Sequence, residues 1–393
     1  MAVGNGSLED LVTENHEAAG GEAAGRDSEG RDAAASVGAW TGRSVFLTGH
    51  TGFKGSWLTL WLCRLGAQVH GYALDPPTSP SLFEEAGVAA SLSSDTRGDV
   101  RSFERLRDSL EAARPDVVFH LAAQPLVLEG YRDPLGTLAV NAMGTAHLLE
   151  AVRAVDSVRA VVVVTTDKVY EEREPGRPYR EGDPLGGRDP YSASKTAAEA
   201  VSGAYRWSFF GAQEGHPARV ATARAGNVIG GGDWAADRLL PDCLRAFAAG
   251  ETVRLRFPGA IRPWQHVLES LAGYLTLAER LLGAEGGRFA GPWNFGPLSA
   301  DEATVGEVAQ MTARLWGGGA RLEHEPPPAR PPEAGLLRLD ASRAQVELGW
   351  RPRWALGEAL ERTVAWHQAW LRGDDMTAVS LDQIAAYEGA ARA

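Results

Sequence analysis

The chain contains 393 residues, 44% of them hydrophobic, and carries a net charge of −12. A chain of this size and apolar content can bury a substantial core in one large or two ordinary domains, and its acidic balance argues against a surface that binds nucleic-acid phosphates. The two cysteines, Cys63 and Cys243, lie in apolar settings without CxxC or Cys/His spacing. We therefore expect no disulfide framework, no metal site and no nucleic-acid partner.

The first segment, residues 1–40, is an acidic tail rich in glycine and alanine and poor in large apolar side chains. Such a composition cannot bury enough surface to offset the entropy of ordering, so we expect the tail to be disordered. The sequence has no basic-then-apolar leader, and no run approaches the ~18 apolar residues that span a bilayer. We expect a cytoplasmic protein without a membrane partner.

From Arg43 onwards, strand-like and helix-like segments alternate. The strand "RSVFLTG" precedes the helical "FKGSWLTLWLCRLG" and the strand "QVHGYALD", and later strands are "DVVFHLA", "RAVVVVTT" and "RVATARAGNVIG". Helical segments between them are "TLAVNAMGTAHLLEAVRAV" and "YSASKTAAEAVSGAYRWSFF". This order predicts an α/β fold with a doubly wound parallel (Rossmann) sheet over residues 41–230.

Beyond residue 230 the alternation gives way to Gly/Pro/Trp-rich turns and separate helices. We interpret residues 231–393 as a smaller, mostly helical C-terminal substrate-binding lobe with some returns to the Rossmann core. The segment "PPPARPP" at 326–332 is predicted as a proline-rich loop. Because ligands of a doubly wound sheet bind where the winding direction reverses, at the carboxyl ends of the strands, we expect the site there.

A glycine-rich turn, "TGHTGFKG", directly follows the first strand and places Gly49, Gly52 and Gly55 at the start of a helix. Glycines there allow a pyrophosphate to approach the backbone and the helix N-terminus, although the spacing is not the common G-x-G-x-x-G and an ordinary turn is the alternative. Asp75, closing the second strand, can bind a ribose diol and repel a 2′-phosphate, which favours NAD over NADP. Asp99 in "GDV" can meet an adenine edge or simply form a turn.

The segment "YSASK" places Tyr191 and Lys195 on one face of a helix. An ammonium group near a phenol is expected to lower the pKa of the phenol, which can then take a proton from a substrate hydroxyl. Thr166 ends the strand "RAVVVVTT", so its hydroxyl is expected to meet the phenol at the same edge of the sheet.

An acid and an amine, Asp167 and Lys168, come directly after that strand. They can serve as the second acid and base that elimination of water next to an oxidised carbon requires, and an ordinary ion pair in a loop is the alternative. Of the 39 basic residues, three are lysines, namely Lys54, Lys168 and Lys195, and all three fall in these motifs. A compact amine that can lose its proton differs chemically from a fixed guanidinium. For Lys54 a simply solvated side chain is the alternative.

The order of several unusual strings between residues 43 and 388 resembles the extended short-chain dehydrogenase/reductase superfamily and, within it, the CDP-glucose 4,6-dehydratases. The strings are "GHTGFKGSWL", "HLAAQPLV", "TTDKVY", "YREGDPLGGRDPYSASK", "RAGNVIGGGDW", "RPWQHVLE" and "WNFGP". The resemblance implies an NAD-dependent lyase in which Tyr191 takes the 4-hydroxyl proton, assisted by Lys195 and Thr166. Asp167 then protonates the departing 6-hydroxyl, Lys168 takes the C5 proton, and the hydride removed from C4 returns to C6.

The resemblance also implies the residues that contact each ligand. The cofactor set comprises Gly49, Gly52, Phe53, Gly55, Asp75, Asp99, Val100, Leu121, Ala122, Ala123, Tyr191 and Lys195. The substrate set comprises Gln124, Asn227, Arg238 and Arg262, with Arg262 suited to clamp a diphosphate. A strand-end cap for Asn227 and a surface charge for Arg262 are the alternatives, and His266 is expected to be structural.

The sequence departs from the family pattern at four positions. Leu128 stands where an arginine is common, Gly130 and Thr166 stand where serines are usual, and Pro332 replaces a histidine. Loss of a charge near the sugar pocket leaves the identity of the nucleotide sugar open, while the acid, base, Tyr and Lys are all in place.

Two other functions remain open, namely an NAD-dependent 4-epimerase or dehydratase of another nucleotide sugar, and a non-catalytic NAD-sensing module. An epimerase needs the Tyr/Lys oxidation step alone, so the acid–base pair would be idle in it, and a sensor would not need Tyr191. The resemblance also implies a homo-oligomer, a dimer or tetramer, built through the long helices at 134–155 and 190–210, and apolar helix faces that serve only the core are the alternative.

Overall fold

The computed structural model describes residues 37–173, 176–210, 215–324 and 337–390. The predicted tail therefore lies outside the described residues except for its last four positions. The predicted proline-rich loop at 326–332, including Pro332, also lies outside them.

A seven-stranded parallel sheet forms the centre of the molecule, in the order β11-β6-β5-β4-β1-β2-β3. Its strands are β1 Ser44–Thr48, β2 Gln68–Ala73, β3 Ser94–Arg97, β4 Val117–His120, β5 Ala160–Val164, β6 Arg219–Ala225 and β11 Pro292–Phe295. The chain leaves β1 towards β2 and β3 and then returns to β4 on the other side, so the winding direction reverses between β1 and β4. The predicted doubly wound parallel sheet is confirmed.

The helices flank this sheet and continue beyond it. They are α1 Val37–Trp40, α2 Phe53–Arg64, α3 Leu82–Glu85, α4 Phe103–Ala113, α5 Val127–Arg132, α6 Pro134–Leu138, α7 Gly144–Arg153, α8 Pro190–Ser208, α9 Leu239–Ala248, α10 Val267–Leu282, α11 Val305–Trp316, α12 Leu356–Arg372 and α13 Met376–Gly389. Short strands pair outside the sheet, namely β7 Val228–Ile229, β8 Thr252–Leu255, β9 Ile261–Arg262, β10 Gln265–His266, β12 Ala303–Thr304 and β13 Arg321–His324. Among the described helices, none is long and apolar enough to cross a membrane.

Both faces of the sheet are covered. In β1, Val45 and Leu47 belong to the apolar cluster that contains α2 and α10, whereas Phe46 belongs to the cluster that contains α4 and α7. This alternation follows from the pleat, which points successive side chains to opposite faces. All five residues of β5 are buried, as expected for a valine-rich strand covered on both sides.

The chain beyond residue 230 takes part in the same sheet, because β11 pairs in parallel with β6 and α10 packs against β5 and β6. Helix α11 packs against both α9 and α12 around a separate apolar cluster. The division at residue 230 into a Rossmann domain and a substrate-binding lobe stays a prediction.

Two predicted elements are interrupted. The helix predicted from residue 137 is divided into α6, a π turn at Ala139–Met143 and α7, and the strand predicted over 219–230 is divided into β6 and β7. The strand breaks at Gly226, where a Cβ atom would lie 2.3 Å from Pro263 Cγ and 2.8 Å from Asp167 Oδ2. The backbone thus passes too close to its neighbours for any side chain at this point.

A buried ion pair joins α8 to the sheet. Both carboxylate oxygens of Glu199 accept hydrogen bonds at 2.9 Å from Arg224 on β6, and they also accept from Thr165 at 2.6 Å and Thr222 at 2.8 Å. Burial alone would raise the pKa of Glu199, but the bonds from Arg224, Thr165 and Thr222 outweigh it and lower that pKa. Glu199 therefore stays ionised and fixes α8 against the end of β5.

Replacing Arg224 by Leu is expected to lower the free energy of unfolding by about 3–5 kcal/mol, because Glu199 is left as an uncompensated buried charge. Arg245→Leu is the matched control, since Arg245 pairs with Asp242 on the surface, where such pairs contribute less than about 1 kcal/mol. Urea unfolding of both variants measures the difference. An equal loss of unfolding free energy in the two variants would show that the buried ion pair stabilises the protein no more than the surface pair does.

Candidate active site

The residues predicted to react are brought together at the carboxyl edge of the sheet by β5 and α8. Thr166 accepts a 3.4 Å hydrogen bond from the backbone N–H of Lys168 and so starts a short 3₁₀ turn at Asp167–Val169. Asp189 caps α8 by accepting from the N–H of Tyr191 at 2.9 Å. Lys195, on the second turn of α8, donates to the carbonyl of Val164, the last residue of β5, at 3.0 Å.

The Tyr191 side chain is buried, and the Thr166 hydroxyl acts on its phenol. Burial raises the pKa of Tyr191 to about 12, while Thr166 and the Arg238 charge oppose this and Asp167 adds to it. The expectation of a lowered pKa for this phenol is therefore wrong, because burial dominates. Burial lowers the pKa of Lys195 itself to about 8, and its strongest opposing influence is Glu199.

Asp167 lies inside the protein, with 2% of its surface exposed. Its Oδ1 accepts from the Thr166 hydroxyl at 3.0 Å, and its Oδ2 has no hydrogen-bond partner among the described residues. Burial raises the pKa of Asp167, against the charges of Lys168, Arg262 and Lys54. A carboxyl group in this setting holds a proton more readily than a solvated loop residue does, which suits it to act as an acid.

Lys54 also belongs to this cluster, and the simply solvated alternative is wrong. It is partly buried, and its Nζ donates a 3.2 Å hydrogen bond to the phenol of Tyr274, a fully buried residue of α10. Burial, together with the charges of Arg238 and Lys195, lowers the pKa of Lys54 to about 7, and the charge of Asp167 opposes this shift.

The glycine-rich turn leaves space that only glycine permits. A Cβ atom on Gly49, whose φ is +79°, would lie 2.6 Å from the N of Ala122, and one on Gly55 would lie 2.1 Å from the O of Gly49. Gly52 caps α2 without any side-chain hydrogen bond, so the first N–H groups of the helix remain available to a phosphate. These residues fit the pyrophosphate of a dinucleotide, and Phe53 starts the helix beside them.

Asp75 and Asp99 lie two residues beyond their strands, because β2 ends at Ala73 and β3 at Arg97. The Asp75 carboxylate is 89% exposed and its Oδ1 lies 3.7 Å from Nε of Arg97, so it can accept bonds from a ribose. Asp99 is bound to Arg101 at 2.6 Å, which lowers the pKa of its carboxyl.

The other residues predicted to bind the cofactor follow β4 and β3. Leu121 and Ala122, which follow β4, donate their N–H groups to the carbonyl and hydroxyl of Thr48 at 3.1 and 3.2 Å. Ala123 comes next in the chain, and Val100 is buried just after Asp99. The set as a whole fits a dinucleotide laid along the edge from β3 to β5.

Two of the four predicted substrate residues act on the reacting cluster. Arg238, held at 2.9 Å by Asp233, lowers the pKa of both Tyr191 and Lys54. The buried Arg262 opposes the rise in the pKa of Asp167.

The other two are tied to neighbouring backbone or side chains. The carboxamide of Gln124 donates to Thr137 at 2.8 Å and accepts from the N–H of Leu126 at 2.5 Å. Asn227 accepts from the N–H of Gln265 at 3.0 Å through its backbone carbonyl. His266 is fully buried and caps α10 by accepting from the N–H of Leu268, as a structural histidine would.

Comparisons with known proteins fit this geometry. The sequence model described as "NAD dependent epimerase/dehydratase family" matches residues 45–290. The chain belongs to that family. It is 52% identical over 355 residues to the CDP-glucose 4,6-dehydratase of Salmonella typhimurium, covering 89% of this chain and 98% of that protein.

Solved structures of the epimerase/dehydratase family share the fold. The dTDP-glucose 4,6-dehydratase of Streptomyces venezuelae, solved with NAD and TYD bound, superposes with a TM-score of 0.70 at 24% identity, covering 84% of this chain and 98% of that one. The UDP-glucose 4-epimerase of Thermotoga maritima, solved with UDP-glucose, gives a TM-score of 0.72 at 22% identity, covering 83% and 99%. Among the described residues, no cluster of His, Cys, Asp and Glu could hold a metal ion.

Proposed function

We propose that this chain is an NAD-dependent CDP-glucose 4,6-dehydratase, a hydro-lyase that converts CDP-glucose into CDP-4-keto-6-deoxyglucose. The near full-length similarity to a CDP-glucose 4,6-dehydratase supports the reaction and the substrate. The observation that carries the mechanism is a buried acid, Asp167, on a 3₁₀ turn that packs against α8, the helix that carries Tyr191. When bound, NAD serves as both hydride acceptor and hydride donor, so the overall reaction involves no net oxidation.

Tyr191 is the base for the 4-hydroxyl proton. Its pKa of about 12 means that the phenolate is scarce near neutral pH. Thr166 and Arg238 both favour the phenolate, and additional positive charge near the phenol would lower its pKa further. Lys195 holds α8 to the end of β5 and keeps the phenol in position.

Asp167 and Lys168 are the acid and the base for loss of water. Once C4 is a ketone, the C5–H bond is acidic, and its proton passes to the amine of Lys168. The C6–O bond breaks as Asp167 gives its proton to the leaving hydroxyl, so that water departs and a C5–C6 double bond forms. The raised pKa of Asp167 suits this role, because the carboxyl must hold a proton until the bond breaks.

A 4-epimerase is the alternative, and the family includes such enzymes. Inversion at C4 needs the tyrosine and the hydride acceptor but no second acid. Burying a carboxyl group without full hydrogen bonding is costly, and Asp167 Oδ2 lacks a partner among the described residues. Elimination of water uses this buried acid, whereas inversion at C4 does not.

The departures from the family pattern bear on the sugar pocket. Gly130 lies on α5, and a Cβ atom there would lie 3.2 Å from the N of Tyr191, so the glycine lets α5 approach the start of α8 closely. Leu128, on the same helix, is partly buried and brings no charge. CDP remains the proposed nucleotide on the strength of the overall similarity, and Gln124, Asn227, Arg238 and Arg262 remain the proposed substrate contacts.

A homo-oligomer is also proposed. Exposed apolar side chains are concentrated on helices α5 to α8 and the π turn between them, and comprise Tyr131, Leu135, Leu138, Met143 and Trp207. Trp207 is 89% exposed and Leu135 is 79% exposed, which is unusual for large apolar groups in a monomer. Because α6 packs against α8, these helices can present one surface to a second copy of the chain. A cytoplasmic location stays a prediction.

Incubation with CDP-glucose and NAD is expected to give a product one water lighter that absorbs as a 4-keto sugar in base, with no net NADH. CDP-, dTDP-, GDP- and UDP-glucose tested side by side should single out the CDP sugar. Mass spectrometry and absorbance spectra measure both outcomes. Return of the sugar unchanged, or inverted at C4, would contradict dehydration.

Lys168→Met is expected to leave NAD affinity unchanged and to slow exchange of C5–H with solvent deuterium by about 100-fold, because it removes the base at C5. Arg173→Met is the matched control, since Arg173 is an exposed cation in the loop that follows the 3₁₀ turn. NMR of the product in D₂O measures the exchange. Unchanged deuterium incorporation would remove Lys168 from its role.

Trp207→Glu is expected to shift the protein to a smaller assembly, because a charge on the shared apolar surface must be desolvated when two copies meet. Val346→Glu is the control, as Val346 is 83% exposed but lies on a separate π turn at Ala344–Leu348. Light scattering after size exclusion measures the mass. A monomeric wild-type protein, or equal effects of both variants, would contradict the proposed interface.

A further inference from the structure

A cation, Arg97, stands beside the carboxylate that is predicted to bind the cofactor ribose. It ends β3, and its Nε lies 3.7 Å from Oδ1 of Asp75. In dinucleotide-binding folds, an acid at this place binds the 2′-hydroxyl of NAD, whereas an arginine nearby accommodates the 2′-phosphate of NADP. The chain therefore carries both kinds of group side by side, and the charge of Arg97 works against the preference that Asp75 favours.

The register of the sheet places Arg97 there. In the parallel pair of β2 and β3, Arg97 lies opposite Ala73, so it is next to Leu74 and Asp75, the two residues that follow β2. Asp95 lies two residues before Arg97 in β3. Because side chains two apart in a strand project from the same face, Asp95 and Arg97 are neighbours.

Three contacts hold the Arg97 guanidinium. Its Nη2 donates to Oδ2 of Asp95 at 2.9 Å, and its Nη1 donates to the carbonyl of Leu74 at 3.3 Å. The guanidinium carbon lies 4.8 Å from the centre of the Phe83 ring, which is a cation–π contact. A guanidinium binds phosphate best through two parallel N–H groups, so Arg97 must leave Asp95 before it can offer this fork to a ligand.

Asp95 is itself fixed by the glycine-rich turn. Its Oδ1 accepts a 2.9 Å hydrogen bond from Nε2 of His50, which is fully buried. The His50 ring packs edge-on against Phe83, and a Cβ atom on Gly71 would lie 2.6 Å from that ring, so the imidazole has little room to move. One oxygen of Asp95 is thus directed by a rigid donor, and the other faces the guanidinium.

We propose that Asp95 is a specificity-determining residue for the cofactor, which holds the Arg97 guanidinium away from the ribose 2′ position and so maintains a preference for NAD over NADP. This inference rests on the proposed cofactor site at Asp75 and adds two residues to it. Asp75 repels a 2′-phosphate directly. Asp95 removes the attraction that Arg97 would otherwise exert on the same phosphate.

The test is Asp95→Asn, with binding of NAD and NADP measured by isothermal titration calorimetry in the absence of nucleotide sugar. The amide keeps the shape of the side chain and a contact for His50, but it removes the charge that holds the guanidinium. We expect the Kd for NADP to fall about tenfold or more, because the 2′-phosphate gains charged hydrogen bonds from Arg97. The Kd for NAD should change by less than about threefold, because NAD has no phosphate there.

Asp95→Asn combined with Arg97→Met should lose the gain in NADP affinity, which a merely structural effect of Asp95 on the turn would not produce. Asp108→Asn is the matched control, since Asp108 pairs with Arg107 on the surface of α4, and it should leave both affinities unchanged. If Asp95→Asn fails to fold, Asp95→Ser also removes the carboxylate and should give the same selective gain.

Equal changes in the affinities for NAD and NADP, or no change in either, would overturn the inference and leave Asp95 a structural role in the turn. A gain in NADP affinity that persists without Arg97 would overturn it as well. A wild-type protein that binds neither dinucleotide would overturn the cofactor site and this inference together. A wild type that prefers NAD, loses that preference in Asp95→Asn and yet releases no water from CDP-glucose would support the inference and overturn the proposed reaction.

Discussion

The buried ion pair between Glu199 and Arg224 is the constraint on which the geometry of the site depends. Glu199 lies one helical turn after Lys195 on α8, and its carboxylate also binds Thr165, the residue before Thr166. The pair therefore joins the helix that carries the phenol to the strand end that carries the acid. A buried charge must be fully hydrogen-bonded. The hydrogen bonds of this ion pair therefore restrict the position that α8 can take relative to β5.

Burial then sets the acid–base behaviour of the whole cluster. It raises the pKa of Asp167 and lowers the pKa of Lys54 and Lys195, so each group is shifted towards its neutral form. Neutral acids can donate protons and neutral amines can accept them, which is what a sequence of proton transfers requires. The same burial raises the pKa of Tyr191, so oxidation at C4 depends on Thr166 and on the positive charge of Arg238, which both oppose this rise.

Local pattern was sufficient to predict the fold and the sheet edge at which the candidate residues lie. Strands alternating with helices indicate a parallel sheet, and the carboxyl ends of such strands share one edge, so Thr166 and Tyr191 could be expected to meet. Residues joined by long-range packing could not be predicted in this way. Lys54 meets Tyr274, which is 220 positions away in the sequence, and no spacing rule connects α2 with α10.

The direction of the Tyr191 pKa shift was predicted wrongly because it, too, depends on long-range packing. The spacing of Tyr191 and Lys195 indicated a shared helix face, but the direction of the phenol's pKa depends on burial, which is a property of the assembled core. Gly226 is similar, because the break between β6 and β7 follows from the approach of Pro263 and Asp167 and not from the glycine alone.

The position of β11 at the edge of the sheet has a consequence for synthesis on the ribosome. Six strands of the sheet are complete by Ala225, but the seventh, which pairs with β6, is made only when Pro292–Phe295 emerges. Until then β6 has a row of unpaired backbone groups, which can template pairing with another nascent chain. Slow translation between those two points would prolong this exposure and favour aggregation of the growing polypeptide.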